Sequence, residues 1–266
     1  MMKKVAVVIP LYKDSLSNYE HIALNQCQAI LGNHPRIIVK PNSLVIPEEL
    51  FSSSFSIINF DDSYFKSIED YNRLMMLAEF YKAFLDFEYI LIYQLDAFVF
   101  KDDLTYWCAK GFDYIGAPWI RKTYDKSWFG LLWLKTRVLI KKHFLGSSLK
   151  VKRKYVIEDK VGNGGFSLRK VAKFHNLCTE MAEHINFYLT QNSHYFNEDV
   201  FWSIEVNRKQ EKLKIPSLQE GLRFAFEVPP VKAKQLTTNN LPFGCHDWDK
   251  YADYWRPVFD DLGIKI

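Results

Sequence analysis

Of the 266 residues only four are cysteine (Cys27, Cys108, Cys178 and Cys245), and no two of them form a CxxC pair. That scarcity argues against a zinc knuckle and against a disulfide scaffold, and it points to a reducing cytoplasm. The excess of positive charge is small, 35 Lys and Arg against 31 Asp and Glu. Nucleic-acid binders concentrate basic residues on one face, so a nucleic-acid partner is not expected. No stretch reaches the length of a membrane span. The apolar run Val5 to Leu11 after Lys3-Lys4 is too short for a signal peptide. GxGxxG is absent, which removes the dinucleotide fingerprint.

What the chain does have is a surplus of aromatics, 16%, on an ordinary background of 48% hydrophobic and 25% charged residues. Such a surplus fits stacking on sugars or bases, a membrane interface, or a dense core. The Val5–Ile9 run reads as a strand closed by Pro10, with Leu11 to Asp14 as a loop and Ser17 to Leu31 as a helix. Gly32 stands where a left-handed helix cap is common. Arg36–Val39 and Phe55–Phe60 read as strands, and Ser67 to Phe87 as one long helix with Ser67 as N-cap. The run Tyr89 to Phe100 reads as a central strand carrying an acid, Asp96. A carboxylate there is costly unless paired, and ligands of open α/β sheets bind outside the carboxyl ends of strands. This order predicts an α/β fold with a mostly parallel central sheet flanked by helices.

The second half is less regular. Phe112 to Trp119 reads as a short strand and turn, Gly162-Asn163-Gly164-Gly165 as a turn suited to positive φ, and Phe166–Arg169 as a strand leading into a helix near Val171. Asn197 reads as the cap of a helix carrying Glu198 and Asp199. The tail from Leu213 is expected to alternate short strands and loops. Trp128 to Leu145 interleaves tryptophan and leucine with Lys135, Arg137, Lys141 and Lys142, so 127–145 reads as an amphipathic contact with an anionic membrane surface, or as a helix closing the domain. One domain is expected: a nucleotide-binding half over about 1–118, a basic aromatic insert over about 119–160, and an acceptor and catalytic half over about 161–266.

Taken together, Val5 to Tyr12, Gln94-Leu95-Asp96, Tyr114 to Trp119, Gly162 to Arg169, Asn197 to Trp202 and Gly244 to Trp248 resemble GT-A-type glycosyltransferases, and in particular a poorly characterised bacterial family of GT-A-like domains of unknown function. The resemblance covers nearly the whole chain. It implies a Rossmann-like GT-A fold and transfer of a sugar from a nucleotide sugar, UDP-linked by analogy, to a glycan or lipid-linked acceptor in bacterial surface polysaccharide synthesis. The enzyme would sit in the cytoplasm or peripherally on the inner face of the membrane. GT-A enzymes carry an Asp-x-Asp motif; here Gln94 replaces the first acid, which leaves Asp96 to hold Mn²⁺ or Mg²⁺ and Gln94 to meet the ribose. The resemblance makes His246 a second metal ligand, with Asp247 as a weaker alternative. Pro10, Tyr12, Arg73, Asn163, Gly164 and Gly165 are the remaining donor-binding candidates. Trp119 is a candidate acceptor platform.

Glu198 and Asp199 are the catalytic candidates. Asp199 is favoured as general base in an inverting attack, with Glu198 as a positioning group or alternative base. Adjacent helical residues point about 100° apart, so the two acids do not share one job. The competing reading is a GT-A-shaped module that binds a nucleotide without catalysis, favoured by the lost first acid.

Overall fold

The computed structural model describes residues 2–47, 55–121, 156–191 and 193–266, with only the backbone of His194. The segment read as a membrane-surface helix, 127–145, lies outside the described residues.

Strict alternation in β1 (Lys3–Pro10) sends Val5, Val7 and Ile9 to one apolar layer and Ala6 and Val8 to the other. β4 (Phe87–Tyr93) divides in the same way, with Tyr89, Leu91 and Tyr93 on the first side and Ile90 and Ile92 on the second. Both strands are therefore buried on both faces, as parallel strands under helices must be. Together with β2 (Arg36–Pro41), β3 (Phe55–Phe60), β6 (Tyr114–Gly116) and β9 (Phe166–Lys170) they form a six-stranded sheet in the order β3-β2-β1-β4-β9-β6. The first four strands run parallel; β9 is antiparallel to both β4 and β6. The mixed α/β sheet is the one the sequence predicts.

Helix α1 (Asn18–Leu31) starts as its sequence dictates. Ser17 Oγ accepts from the Glu20 amide at 3.3 Å, and Glu20 Oε2 accepts from the Ser17 amide at 2.8 Å, a reciprocal cap. Removing it with Ser17→Ala is expected to cost about 1 kcal/mol in chemical denaturation. Gly32 is right-handed (φ −59°), so the expected left-handed cap is not used.

The long helix expected over Ser67–Phe87 is two short ones, α2 (Ile68–Leu74) and α3 (Ala78–Lys82). Ser67 does cap the first, accepting from the Asp70 amide at 3.1 Å. The break has a tertiary cause: the Met75 carbonyl accepts from the Tyr81 hydroxyl (2.8 Å) and the Trp202 indole (3.2 Å), and Leu77 is extended.

The strand expected from Tyr89 to Phe100 also divides. β4 ends at Tyr93, a turn closes with the Ala97 amide donating to the Gln94 carbonyl (2.9 Å), and β5 (Phe98–Val99) joins a separate three-stranded sheet, order β10-β11-β5. The other members of that sheet are β10 (Ala225–Phe226) and β11 (Gly244–Cys245). Asp96 thus sits in the turn between two sheets, outside the strands.

β9 runs directly into α5 (Val171–Glu180), as read from the sequence. The tail differs from expectation. It carries three helices, α8 (Leu218–Phe224), α9 (Pro230–Leu236) and α10 (Ala252–Asp261), besides its short strands. Ser217 caps α8 and Pro230 opens α9. Trp248, Trp255 and Phe259 pack with Phe98 and Phe226 into a third apolar cluster that fixes this end against β5. The four cysteines are free and buried. Among the described residues no helix is long and apolar enough to cross a membrane.

Candidate active site

The carboxyl ends of β1 and β4, the turn after β8 (Lys160–Val161), the short helix α7 (Glu198–Val200) and the segment after β11 open onto one cleft of about 890 Å³. Most of the residues singled out from the sequence line it: Pro10, Tyr12, Gln94, Asp96, Asn163, Gly164, Gly165, Glu198, Asp199 and His246, with Trp119 beside them. Arg73 does not; it is exposed on α2, away from the cleft lining. Tyr12 is 62% exposed and stands at the rim.

One wall gathers metal-type donors. His246 Nε2 lies 3.1 Å from Asp96 Oδ1 and 3.2 Å from Gln94 Oε1. A single N–H there satisfies one of these oxygens. Asp96 Oδ1 and His246 Nδ1 are both buried without a hydrogen bond among the described residues. His246 Nδ1 faces Glu227 Oε1 and Asp247 Oδ1, each at 3.9 Å. One donor atom from each of Asp96, His246 and Asp247 falls within 4.8 Å of the others. Two carboxylates and an imidazole with orphaned donors fit a divalent cation such as Mn²⁺. Burial works against the charge on Asp96, but His246 outweighs it and holds the carboxyl below its usual range. Burial likewise opposes a charge on His246, yet Asp96 and Glu227 keep the imidazole protonated well above its usual range. A bound cation would replace that proton.

The glycine turn serves this wall by close approach. None of its glycines has a positive φ among the described residues, so the turn chemistry read from Asn-Gly is not what selects them. Asn163 Oδ1 accepts from the Gly165 amide at 2.9 Å, and its Nδ2 donates to Glu227 Oε1 at 2.7 Å. A Cβ on Gly165 would sit 2.0 Å from His246 Nε2 and 2.4 Å from Gln94 Oε1; one on Gly164 would sit 2.2 Å from Glu198 Oε1. A side chain at position 165 would therefore displace the imidazole.

The two acids of α7 are held differently. Glu198 points inward, 4% exposed, and Arg169, fully buried, grips it with two bonds: Nη1 donates to Oε2 at 3.0 Å and Nη2 to Oε1 at 2.9 Å. Asn72 Oδ1 accepts from the Glu198 amide at 3.0 Å. The Asn197 side chain makes no cap bond; it accepts from Asn72 Nδ2 instead. Burial would discharge Arg169, but Glu198 more than offsets it. Asp199 keeps an edge on the cleft with protein around the rest. Burial first, then the charges of Glu198 and Glu227, push its carboxyl up to about 8. Such a value suits a group that takes a proton near neutral pH.

Sequence reading missed Arg169, Glu227 and Asn72 as parts of the site. The available signal was Arg169 itself, a charge alternating with Ser167 in a strand that is otherwise apolar and so in need of a buried acid. Glu227 had none, being flanked by Phe226 and Val228-Pro229.

The sheet order, the cleft at the strand ends and the turn after β4 define the GT-A glycosyltransferase fold. Solved structures bear this out. An active-site mutant of LgtC is 13% identical, covering 91% of this chain and 86% of its own, with a TM-score of 0.53. Mouse xyloside xylosyltransferase 1 in its apo form is 10% identical, covering 91% of this chain and 97% of its own, with a TM-score of 0.52. These likenesses concern the fold. Over residues 54–246 the chain matches the model of a family described as "Protein of unknown function (DUF5672)", and it belongs to that family. No curated protein matches it.

Proposed function

We propose that this protein is a glycosyltransferase that moves a sugar from a nucleoside-diphosphate sugar, UDP-linked as the first choice, to a hydroxyl of a glycan or lipid-linked acceptor. The observation that carries the reading is one cleft lined both by a Gln94–Asp96–His246 cluster and by Asp199, whose carboxyl burial pushes up to about 8. Asp96, His246 and Asp247 would hold a divalent cation, which when bound offsets the charge that grows on the departing diphosphate. The chain's own residues do the rest. Pro10 and Tyr12 at the end of β1 receive the nucleoside, and Gln94 offers an amide to the ribose. Asn163, Gly164 and Gly165 form the floor under the sugar, and Trp119 offers an aromatic face to the acceptor. Asp199 takes the proton from the acceptor hydroxyl as that oxygen bonds to the anomeric carbon. The bond from that carbon to the diphosphate oxygen breaks, and its electron pair leaves with the nucleoside diphosphate. Attack in line with the departing group inverts the anomeric centre.

Release of nucleoside diphosphate from a panel of nucleotide sugars, with and without Mn²⁺, tests the reading. Turnover with at least one donor, dependent on Mn²⁺, is expected, and product of inverted anomeric configuration by NMR. A retained anomer would remove Asp199 as acceptor base. Tight nucleotide binding without any turnover would favour the non-catalytic module, the alternative for which Gln94 in the first-acid position speaks. Glu227, between Asn163 and His246, orients the imidazole. Glu227→Ala is expected to weaken Mn²⁺ binding about tenfold in titration, and unchanged affinity would remove it from the cation site.

A further inference from the structure

The cleft's two acids are consecutive in sequence, yet Glu198 is gripped by a two-bond ion pair and Asp199 is not, and the grip is built from distant parts of the chain. Arg169, on β9, is 0% exposed. Besides gripping Glu198 it donates from Nε to Ser167 Oγ (3.0 Å), from Nη1 to the Tyr81 hydroxyl (2.9 Å) and from Nη2 to the Gly164 carbonyl (3.3 Å). Its cation also lies over the Tyr114 and Phe174 rings, at 5.5 and 5.7 Å. Ser167 Oγ in turn donates to the Gly164 carbonyl at 2.8 Å. One guanidinium thus joins the glycine floor, α3 and the start of α7. On stability grounds alone such an assembly has little to recommend it, because apolar replacements of buried ion pairs are often neutral or stabilising. What it does provide is a fixed rotation of α7. With Glu198 clamped inward from both side chain and backbone, the next residue, about 100° around the helix, is turned to the cleft.

We propose that Arg169 is a positioning residue: through its forked grip on Glu198 and its bond to the Gly164 carbonyl it aims Asp199 at the acceptor hydroxyl and fixes the distance between that acid and the sugar floor. The inference rests on the reading of Asp199 as acceptor base. Glu198 is then the handle by which α7 is held. The groups that bear on the Asp199 charge are Glu198 from α7, Glu227 from the segment after β10, the Val200 amide, which donates to Asp199 Oδ1 at 2.7 Å, and Arg169 from β9.

Two variants and two readouts test this. Arg169→Lys keeps the cation but loses the fork. It is expected to lower kcat at least about tenfold, while the Kd for UDP with Mn²⁺ and the far-ultraviolet circular dichroism stay at wild-type values. Glu198→Gln keeps the shape and removes the negative neighbour of Asp199. It is expected to move the rising limb of the kcat/KM pH profile to lower pH by about one unit or more. A lysine variant with wild-type kcat, a loss of nucleotide affinity in step with kcat, or a pH limb that stays in place in Glu198→Gln would each overturn the positioning role. Asp199→Asn run alongside separates the two failures: wild-type turnover there removes the base itself, whereas a dead asparagine variant beside an unmoved pH limb removes only the role given to Arg169.

Discussion

Asp96→Ala is expected to lower sugar transfer by about 10³-fold or more, while the protein stays folded with a melting temperature close to that of the wild type. The side chain is 36% exposed, and its close contact among the described residues is His246 at 3.1 Å, so little packing is lost with it. On the proposed reading, what is lost is the carboxylate that helps meet the charge of the departing diphosphate. Two residues before Asp96 the chain carries Gln94, so no carboxylate stands in that position to compensate. The same variant is expected to lose the rise in melting temperature that Mn²⁺ gives the wild type. Wild-type turnover would remove Asp96 from the mechanism.

Asp199→Asn is expected to lower kcat by about 10²–10⁴-fold, the usual worth of a general base, with donor affinity little changed. It is also expected to stabilise the protein. The folded-state pKa of Asp199 is raised from 3.8 to about 8. Between those values the folded state binds a proton that the unfolded chain has released, so stability falls as pH rises from about 4 to about 8 and is level above. The neutral asparagine removes that loss. Denaturation at pH 8 should show a gain on the order of a few kcal/mol, shrinking towards pH 4. In the wild type, kcat/KM should climb with pH and level off above about 8, since only the ionised base works. A variant equally inactive but less stable at pH 8 would mark Asp199 as a structural acid.

The central strands were legible because their pattern is decided locally: β1, β2 and β3 are short apolar β-rich runs bounded by turn residues. The breaks were not. Residues 67–87 contain neither glycine nor proline, and α2 stops because Tyr81 and Trp202 take the Met75 carbonyl, a contact made with a residue 127 positions away. Asp96 was legible as a residue lining the cleft, but its place in a turn was not, since Phe98 and Val99 leave the main sheet to pair with Gly244 and Cys245. The helices of the tail were hidden by their brevity; α8 and α9 are seven residues each, too short for a helical period to stand out. The cleft was legible as a set of residues from a resemblance. That Glu198 is paired with a buried arginine, and Asp199 is not, became visible only with Arg169 in place. What requires glycine at positions 164 and 165 lies in space, not in turn chemistry: Glu198 and His246 approach to within 2.2 and 2.0 Å of where a side chain would begin.

The most direct measurement is a thermal-shift screen of nucleoside diphosphates and nucleotide sugars, run with and without Mn²⁺, on the wild type and on Asp96→Ala. At least one nucleotide sugar is expected to raise the wild-type melting temperature by several degrees with Mn²⁺ present, less without it, and not at all in the variant. No shift with any nucleotide, or a shift of the same size in Asp96→Ala, would contradict a cleft built to hold a cation and a diphosphate sugar.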